Sequence, residues 1–373
     1  MHSADIIVIG AGIAGVSAAS ELAASASVLV IEMEPQPGYH ATGRSAAFFA
    51  PAYGNKVVRG ITAASEHFFR SPPEGFSDVD LIRPRDCLFI AREDQQQQLE
   101  EMHADNSALQ LLSANDVSQC VPILSKQKLC GALRDNFGGD LDVDAVLQGY
   151  LRLFRRRGGT LLNGQAVKTM QRVNGSWRIH TDKAEYTAPI IINAAGAWAD
   201  NIAEIAALAA LGIIPKRRTA LLIDAPDDMD ISQWPLTVDV DEQFYFKPDA
   251  GQLLISPADE TPSPPCDAQA DELDVAVAVD RFENATGLEV RHINHRWAGL
   301  RSFAPDKTFV VGFDPRSEGF FWLAGQGGYG VQSAPAMAQL TTALVTGAQL
   351  SKKFASVLDY RDAVAPQRLL NES

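Results

Sequence analysis

Runs of apolar residues that end in glycine recur at three places along the chain. The first, residues 5–9, is apolar after Asp5 and stops at Gly10, as expected for a strand buried on both faces. Residues 12–24 are rich in small side chains and predict a helix, and residues 28–32 form a second apolar run that ends on Glu32. Together they predict a β-α-β unit at the start of the chain.

The same pattern recurs in the middle and at the end of the chain. Residues 143–157 predict a helix that Asp142 or Asp144 can cap, and a short strand over 160–162 follows. Asn174-Gly175 between alternating segments predicts a β-hairpin. The apolar run 190–192 stops at Gly196, and residues 319–345 again predict a strand, a glycine turn and a helix.

Two other segments have a different pattern. Residues 81–144 and 216–304 carry more alternation of apolar and polar positions, more proline and more polar turns, which favours antiparallel strands. The sequence therefore predicts an α/β (α+β) protein with a discontinuous Rossmann-like domain, into which a mainly antiparallel β domain is inserted. The first domain would comprise residues 1–80, 145–215 and 305–373, and the second 81–144 and 216–304.

Composition narrows the class of protein. With 46% hydrophobic and 21% charged residues among 373, the chain is typical of globular proteins, and its net charge of −14 argues against a nucleic-acid partner. Its four cysteines lack metal-binding spacing, which predicts free thiols and no metal site. A strand starting at Asp5 leaves no room for a signal peptide, and the uncharged apolar run 205–214 is too short to span a bilayer. These features predict a cytoplasmic protein without a transmembrane segment.

The first glycine turn carries a nucleotide-binding pattern. Gly10, Gly12 and Gly15 have G-x-G-x-x-G spacing between a strand and a helix, and Glu32 ends the next strand. Gly10 allows a tight turn, Gly12 lets the backbone approach a pyrophosphate, and Gly15 lets the helix pack on the strand. The helix N-terminus would hold the phosphates, and Glu32 would bind the ribose. Two later glycine turns, "NAAGAW" and "AGQGGYG", favour FAD over the smaller NAD.

Several motifs together resemble a known superfamily. The segments "DIIVIGAGIAG", "GRSAA", "NAAGAWAD", "PKRR", "YFKPDAG", "WAGLRSF" and "GQGGYGVQ" are similar to those of the FAD-dependent D-amino-acid oxidase and glycine oxidase superfamily. Within it the likeness is greatest to D-arginine dehydrogenase, and it runs over nearly the whole chain. The resemblance implies that the first domain binds FAD non-covalently and that the inserted domain binds the substrate.

The resemblance also implies which residues contact FAD. Arg44, Ser45 and Ala46 would lie along the pyrophosphate and the flavin ring, and Val167 would touch the adenine. The full set expected at the cofactor is Gly10, Gly12, Ile13, Ala14, Gly15, Glu32, Met33, Arg44, Ser45, Ala46, Val167, Ala195, Gly196, Trp198, Gly327, Gly328, Tyr329, Gly330, Val331 and Gln332. His40 lies near this set, and we interpret it as structural.

The substrate residues implied by the resemblance suit an amino acid. The catalytic residues would be Tyr53, Tyr245 and Arg301. The side chain of Arg218 and the carbonyl of Gly328 would also bind the substrate. Physical chemistry supports these roles, because a planar guanidinium neutralises a buried carboxylate through two hydrogen bonds. On sequence alone Arg301 could instead form a structural ion pair, Arg218 could be a surface charge, and Tyr245 could be a core residue.

Two positions depart from D-arginine dehydrogenase. An acid that pairs with the substrate guanidinium there corresponds to Cys87 here, and a histidine corresponds to Phe48. Asp86 is a poor replacement, because adjacent strand residues point to opposite faces. The expected substrate is therefore a D-amino acid with a neutral or apolar side chain.

The resemblance implies oxidative deamination to an imino acid, which water hydrolyses to a keto acid and ammonia. Oxygen or a quinone would accept the electrons. Two alternatives stay open: oxidation of glycine, sarcosine-type amines or a 2-hydroxy acid by the same fold, and a non-catalytic FAD-binding protein. An intact set of Tyr53, Tyr245 and Arg301 argues against the last.

Overall fold

Strands and helices occupy similar shares of residues 2–370, which are the part of the chain that this computed structural model describes. The strands are β1 (His2–Ser3), β2 (Ile6–Ile9), β3 (Val28–Ile31), β4 (Phe48–Phe49), β5 (Ile82–Pro84), β6 (Cys87–Ala91), β7 (Gln110–Ser113), β8 (Gly131–Asp135), β9 (Gly139–Leu141), β10 (Thr160–Leu162), β11 (Val167–Val173), β12 (Ser176–Thr181), β13 (Glu185–Ala188), β14 (Ile190–Asn193), β15 (Ile214–Ile223), β16 (Leu236–Asp239), β17 (Tyr245–Asp249), β18 (Gln252–Ser256), β19 (Thr261–Pro262), β20 (Ile293–Phe303), β21 (Val310–Phe313) and β22 (Phe320–Ala324). The α-helices are α1 (Ile13–Leu22), α2 (Lys56–Arg70), α3 (Gln96–Asp105), α4 (Ala114–Cys120), α5 (Val143–Arg156), α6 (Ala199–Ile205), α7 (Glu272–Thr286), α8 (Gly330–Thr346) and α9 (Arg361–Val364).

The apolar runs that end in glycine form one sheet with the strand order β10-β3-β2-β14-β22-β21. Neighbouring strands are parallel except for the last pair, β22 and β21. Every residue of β2 and β3 is buried, as a parallel sheet covered on both faces requires. The predicted strands at residues 5–9, 28–32 and 190–192 are confirmed, and their carboxyl ends share one edge of the sheet.

A larger sheet has the strand order β19-β15-β18-β17-β16-β6-β8-β7, and β20 pairs with β15. Its pairs are antiparallel apart from β16 with β6. These strands come from residues 87–135 and 214–303, and hydrophobic clusters cover both faces of the sheet. The α/β (α+β) fold class is confirmed, whereas the boundaries of the two domains stay predictions.

Local signals explain several elements. The Asp142 carboxylate accepts a hydrogen bond of 2.8 Å from the backbone N–H of Ala145 and caps α5, as predicted. Asn174 and Gly175 have φ angles of 50° and 82° in the hairpin between β11 and β12. The helices α3 and α4 were not predicted. In α3, three glutamines at the start, Gln96 to Gln98, hide the apolar period of a helix.

The remaining expectations about the whole chain concern cysteines, metals and membranes. The four cysteines are free thiols, as expected. Among residues 2–370 no group of His, Cys, Asp and Glu side chains has the arrangement of a metal site. None of the helices in the same range combines the length and apolar character needed to cross a bilayer.

A buried carboxylate connects the end of β21 to β22. Asp314 accepts hydrogen bonds of 2.9 Å from Arg316 Nε and from Trp322 Nε1. Burial by itself would raise the pKa of Asp314, but the bonds from Arg316 and Trp322 outweigh it and hold that pKa below its usual value. A lowered pKa means that the ionised carboxylate stabilises the folded state. Its contribution is complete above the unfolded pKa of about 3.9 and is lost as the pH falls through the folded value.

We therefore predict that Asp314→Asn lowers the free energy of unfolding by about 1–3 kcal/mol at neutral pH, because two charge-assisted hydrogen bonds are weakened. The difference from the wild type should narrow below about pH 4. Urea unfolding at several pH values measures both effects. Asp362→Asn, which removes an exposed partner of Arg361, is the control and should change little. Equal stability of Asp314→Asn and wild type at neutral pH would contradict this account.

Candidate active site

An elongated cavity of about 370 Å³ lies at the carboxyl ends of β2, β3 and β14. This edge is where open α/β sheets bind their ligands. The expected cofactor residues that line it are Gly10, Gly12, Ile13, Ala14, Glu32, Met33, Arg44, Ser45, Ala46, Val167, Ala195, Gly196, Trp198, Gly327, Gly328, Gly330 and Val331. Gly15 lies behind the turn, Tyr329 packs on aromatic rings, and Gln332 lines only a second cavity.

The glycine turn is too tight for side chains. A Cβ atom on Gly10 would lie 2.5 Å from the carbonyl oxygen of Ala194, and the φ angle of Gly10 is +102°. A Cβ atom on Gly15 would lie 2.0 Å from the carbonyl oxygen of Gly10. The structural reasons for glycine at these two positions are thus the ones expected for a dinucleotide fingerprint.

The start of α1 faces the cavity and carries no acidic side chain in its first turn. The residue before the helix, Gly12, offers no side-chain cap. The Ile13 N–H donates a 3.0 Å hydrogen bond to Thr42 Oγ1, and the positive end of the helix can still attract an anion. Glu32 accepts hydrogen bonds from the backbone N–H groups of Ala11 (2.6 Å) and Glu34 (2.9 Å). Burial raises the pKa of Glu32, although these two bonds oppose the shift. Its carboxylate has further lone pairs for ribose hydroxyls.

Three buried polar atoms of cavity-lining residues make no hydrogen bond within the described chain: His40 Nδ1, Gln326 Nε2 and Arg218 Nη2. The other nitrogen of His40 lies 2.8 Å from Glu34 Oε1, and its ring packs against Trp198 with centroids 4.6 Å apart. Buried polar atoms are normally paired, so partners supplied by a bound ligand fit this cavity. The cradle, the helix N-terminus and these atoms together fit FAD.

The contacts of Arg44 differ from the expected contact with the cofactor. Its guanidinium donates hydrogen bonds to the carbonyl oxygens of Ala268 (2.8 Å) and Ala298 (3.1 Å) and forms an ion pair with Asp267. The residue lines the cavity, but its charge is committed to the loop at 267–268. A role of Arg44 along the pyrophosphate therefore stays a prediction.

A second cavity of about 90 Å³ adjoins the first. Ser45, Ala46, Arg218, Tyr245, Arg301, Gly328 and Val331 line both. All the expected substrate residues lie around the second cavity: Phe48, Tyr53, Cys87, Arg218, Tyr245, Arg301 and Gly328. The structure thus brings together residues from β4, β6, β15, β17, β20 and the loop before α8.

Two guanidinium groups face the junction of the cavities. Within residues 2–370 Arg301 has no carboxylate at ion-pair distance, so the alternative of a structural ion pair is not what the structure shows. Burial by itself would lower the pKa of Arg301, but Tyr245, Tyr53 and Glu242 keep it above its usual value. A Cβ atom on Gly328 would lie 2.8 Å from Arg301 Nη1, so a larger residue at this position would displace the guanidinium.

Arg218 is buried, with 7% of its surface exposed, and is not the surface charge considered above. Its Nε donates a 2.9 Å hydrogen bond to the carbonyl oxygen of Asp259. Its Nη2 lies 3.5 Å from Glu260 Oε1, yet this buried atom makes no hydrogen bond in the described chain. A donor is therefore available beside Arg301.

Tyr53 lies over the second cavity. Its hydroxyl donates a 2.7 Å hydrogen bond to Glu242 Oε2, and its ring lies 5.2 Å from that of Tyr329. Burial raises the pKa of Tyr53 well above 10 and that of Tyr329 to about 12, so both hydroxyls stay protonated in neutral solution. The loop that carries Tyr53 is held by a 3.2 Å hydrogen bond from the Ala52 N–H to Asp135.

The far wall of the second cavity is mostly apolar. Cys87 is 1% exposed, and burial raises the pKa of its thiol well above 9.0. Asp86 next to it pairs with Arg134, which confirms that Asp86 does not replace an acid at position 87. The sequence analysis missed the other residues of this wall, namely Phe89, Leu236, Val238, Glu242 and Lys247. Alternation with Cys87 along β6 could have indicated Phe89, whereas the place of the others depends on which strands pair.

Comparisons with known proteins agree with this geometry. The family model described as "DAO: FAD dependent oxidoreductase" matches residues 5–344. An uncharacterized oxidoreductase, YurR, of Bacillus subtilis (strain 168) is 24% identical and covers 92% of this chain and 95% of its own. A glycine oxidase of Pseudomonas putida (strain KT2440) is 24% identical over 93% of this chain and 96% of its own. The crystal structure of L-proline dehydrogenase from P. horikoshii has a TM-score of 0.84 at 20% identity, over 99% of this chain and 98% of its own.

The glycine turn predicts a loss of cofactor on substitution. Gly10→Ala would place a methyl group 2.5 Å from the Ala194 carbonyl at a φ angle unfavourable for alanine, so the turn must shift where FAD binds. We expect the purified variant to contain much less flavin per protein, as measured by visible absorbance. Gly175→Ala is the control, because Gly175 also has a positive φ but lies in a hairpin with nothing within 4 Å. A full flavin content in Gly10→Ala would contradict the assignment.

Proposed function

The chain belongs to the DAO family of FAD-dependent oxidoreductases, and on that basis we propose that it oxidatively deaminates a D-amino acid with a neutral or apolar side chain. The product is an imino acid, which water hydrolyses to a keto acid and ammonia. The D configuration rests on the resemblance of the motifs to D-amino-acid oxidases and D-arginine dehydrogenase. The observation that carries the proposal is the guanidinium of Arg301, which faces the junction of the two cavities and has no carboxylate partner in the described chain.

A substrate carboxylate suits this position. A partly buried cation without a partner is costly, and a carboxylate that accepts two parallel N–H bonds compensates it. Arg218 Nη2 supplies a further free donor, and Arg218 Cζ lies 6.0 Å from the centre of the Tyr245 ring. Arg218 and Arg301 would hold the carboxylate, with Tyr53 and Tyr245 beside it. The clamp fixes the substrate Cα next to the cofactor cavity, because the same residues line both spaces.

The amine would lie near the carbonyl oxygen of Gly328, which can accept its N–H. An amine bound in the neutral form leaves the nitrogen lone pair free to form the imine, so no protein base is required for this step. Tyr53 and Tyr329 keep their protons and therefore act as donors and packing groups in neutral solution. When bound, FAD supplies a two-electron acceptor for the hydrogen and the bonding pair of the Cα–H bond.

The substrate side chain would enter the apolar part of the second cavity. Phe48, Phe89, Leu236 and Val238 line this part, and Cys87 stands where an acid binds a guanidinium in the relative. A cationic side chain would lose its water without gaining an anion, which costs several kcal/mol. D-arginine should therefore be a poor substrate.

The test is anaerobic reduction of the bound flavin by a panel of substrates. D-leucine, D-phenylalanine and D-methionine should bleach the visible absorbance, and their L forms should do so far more slowly. Glycine, sarcosine and 2-hydroxy acids form the second arm of the panel. If one of these bleaches the flavin while the D-amino acids leave it oxidised, the proposal is wrong.

The clamp itself predicts a large effect of one substitution. Arg301→Met should lower kcat/KM for the preferred D-amino acid by roughly 100-fold or more, because the substrate carboxylate loses its buried counter-charge. Steady-state rates with an electron-accepting dye measure this ratio. Arg296→Met on the same strand removes an exposed guanidinium that pairs with Glu272, and it should leave kcat/KM close to the wild-type value. Equal kinetics of both variants would exclude the clamp.

A further inference from the structure

Alternate residues of three neighbouring strands form the wall of the second cavity. Leu236 of β16 lies opposite Cys87 of β6, and Val238 lies opposite both Phe89 and Tyr245. The same register continued by one residue puts Lys247 of β17 opposite Leu236. The wall therefore consists of a middle row (Phe89, Val238, Tyr245) and a far row (Cys87, Leu236, Lys247), and every member lines the cavity.

The clamp lies on the other side of the middle row. Strands β15 and β17 both pair antiparallel with β18 and therefore run in the same direction. Along β15, Arg218 lies two residues before the residue that is level with Tyr245. Successive rows on one face of a sheet are about 6.6 Å apart. A substrate held at its carboxylate thus extends its side chain past the middle row towards the far row.

Lys247 brings a polar group to the far row. Its side chain is 4% exposed, and its Nζ donates hydrogen bonds to Asp140 Oδ1 (3.0 Å) and Asp249 Oδ1 (3.3 Å). Asp140 lies opposite Phe48 in the pairing of β9 with β4, so the ammonium group lies on the Phe48 side of the cavity. An ammonium has three N–H donors, and two are used by these partners.

We propose that the third N–H of Lys247 binds an uncharged hydrogen-bond acceptor at the end of the substrate side chain. A glutamine side chain carries its amide oxygen about 5 Å from Cα, and with a hydrogen bond of about 3 Å it spans the roughly 6.6 Å from the middle to the far row. The preferred substrate is therefore a D-amino acid of the size of glutamine with an acceptor at its end. This inference rests on the proposed oxidation of D-amino acids and specifies the side chain.

Charge balance decides between a neutral and an anionic acceptor. Asp140 pairs with both Lys247 and Arg85, and Asp249 also pairs with Lys247, so two cations already face two carboxylates. A substrate carboxylate would add an unbalanced buried negative charge, which is costly. A cationic side chain would meet the Lys247 ammonium directly. An amide avoids both penalties.

The experiment compares kcat/KM for D-glutamine, D-norleucine and D-glutamate, which have similar reach and differ at the far end. The wild type should prefer D-glutamine over both by about tenfold or more, because one hydrogen bond from a charged donor is gained without a new charge. Lys247→Met should abolish the preference over D-norleucine, so that the ratio of kcat/KM for D-glutamine to that for D-norleucine falls to about one.

If Lys247→Met fails to fold, the ratios of kcat/KM for the three substrates in the wild type still decide the test. The variant Lys247→Arg retains donors and charge and should keep the preference for D-glutamine. D-norleucine oxidised as well as or better than D-glutamine by the wild type would overturn this inference and leave the proposed function standing. A faster reaction with D-glutamate would overturn the charge-balance argument. Flavin reduction by glycine, sarcosine or a 2-hydroxy acid but by no D-amino acid would overturn the proposed function as well.

Discussion

The partly buried positive charge of Arg301 is the constraint on which the site depends. A guanidinium that faces a cavity without a carboxylate partner in the described chain destabilises the protein unless something else compensates it. The carboxylate of Glu242 lies close enough to Arg301 to stabilise its charge, and Tyr53 and Tyr245 line the same cavity. An anionic ligand completes the compensation, so the same unfavourable burial that costs stability provides the affinity for a carboxylate.

Both sheets contribute to the position of this charge. The parallel sheet carries the glycine turns and the helix α1, which fit FAD, and its last loop brings Gly328 against Arg301. The larger sheet supplies Arg301, Arg218 and Tyr245 from strands that run past the cavity. Because the clamp residues line both cavities, a ligand held by its carboxylate lies beside the cofactor. The two cavities therefore adjoin each other, which is the arrangement that an FAD-dependent oxidoreductase requires.

Local patterns in the sequence were enough to predict the parallel sheet and the glycine turns. Every residue of β2 and β3 is buried, and such strands appear as continuous apolar runs. The resemblance supplied the substrate residues, all of which line one cavity. Lys247 and Glu242 were missed because their place depends on which strands pair across more than a hundred residues, as β6 does with β16. No local pattern in the sequence encodes that pairing. The ion pair of Arg44 with Asp267 was missed for the same reason.

The most direct measurement of the central claim is the binding of isovalerate and of its neutral analogue isovaleramide to the oxidised enzyme, followed by the change in flavin absorbance. The two ligands have the same apolar group and differ only in the charge that meets Arg301 and Arg218. The account predicts that isovalerate binds saturably and at least about tenfold more tightly than isovaleramide. Equal affinity for the two ligands would contradict it.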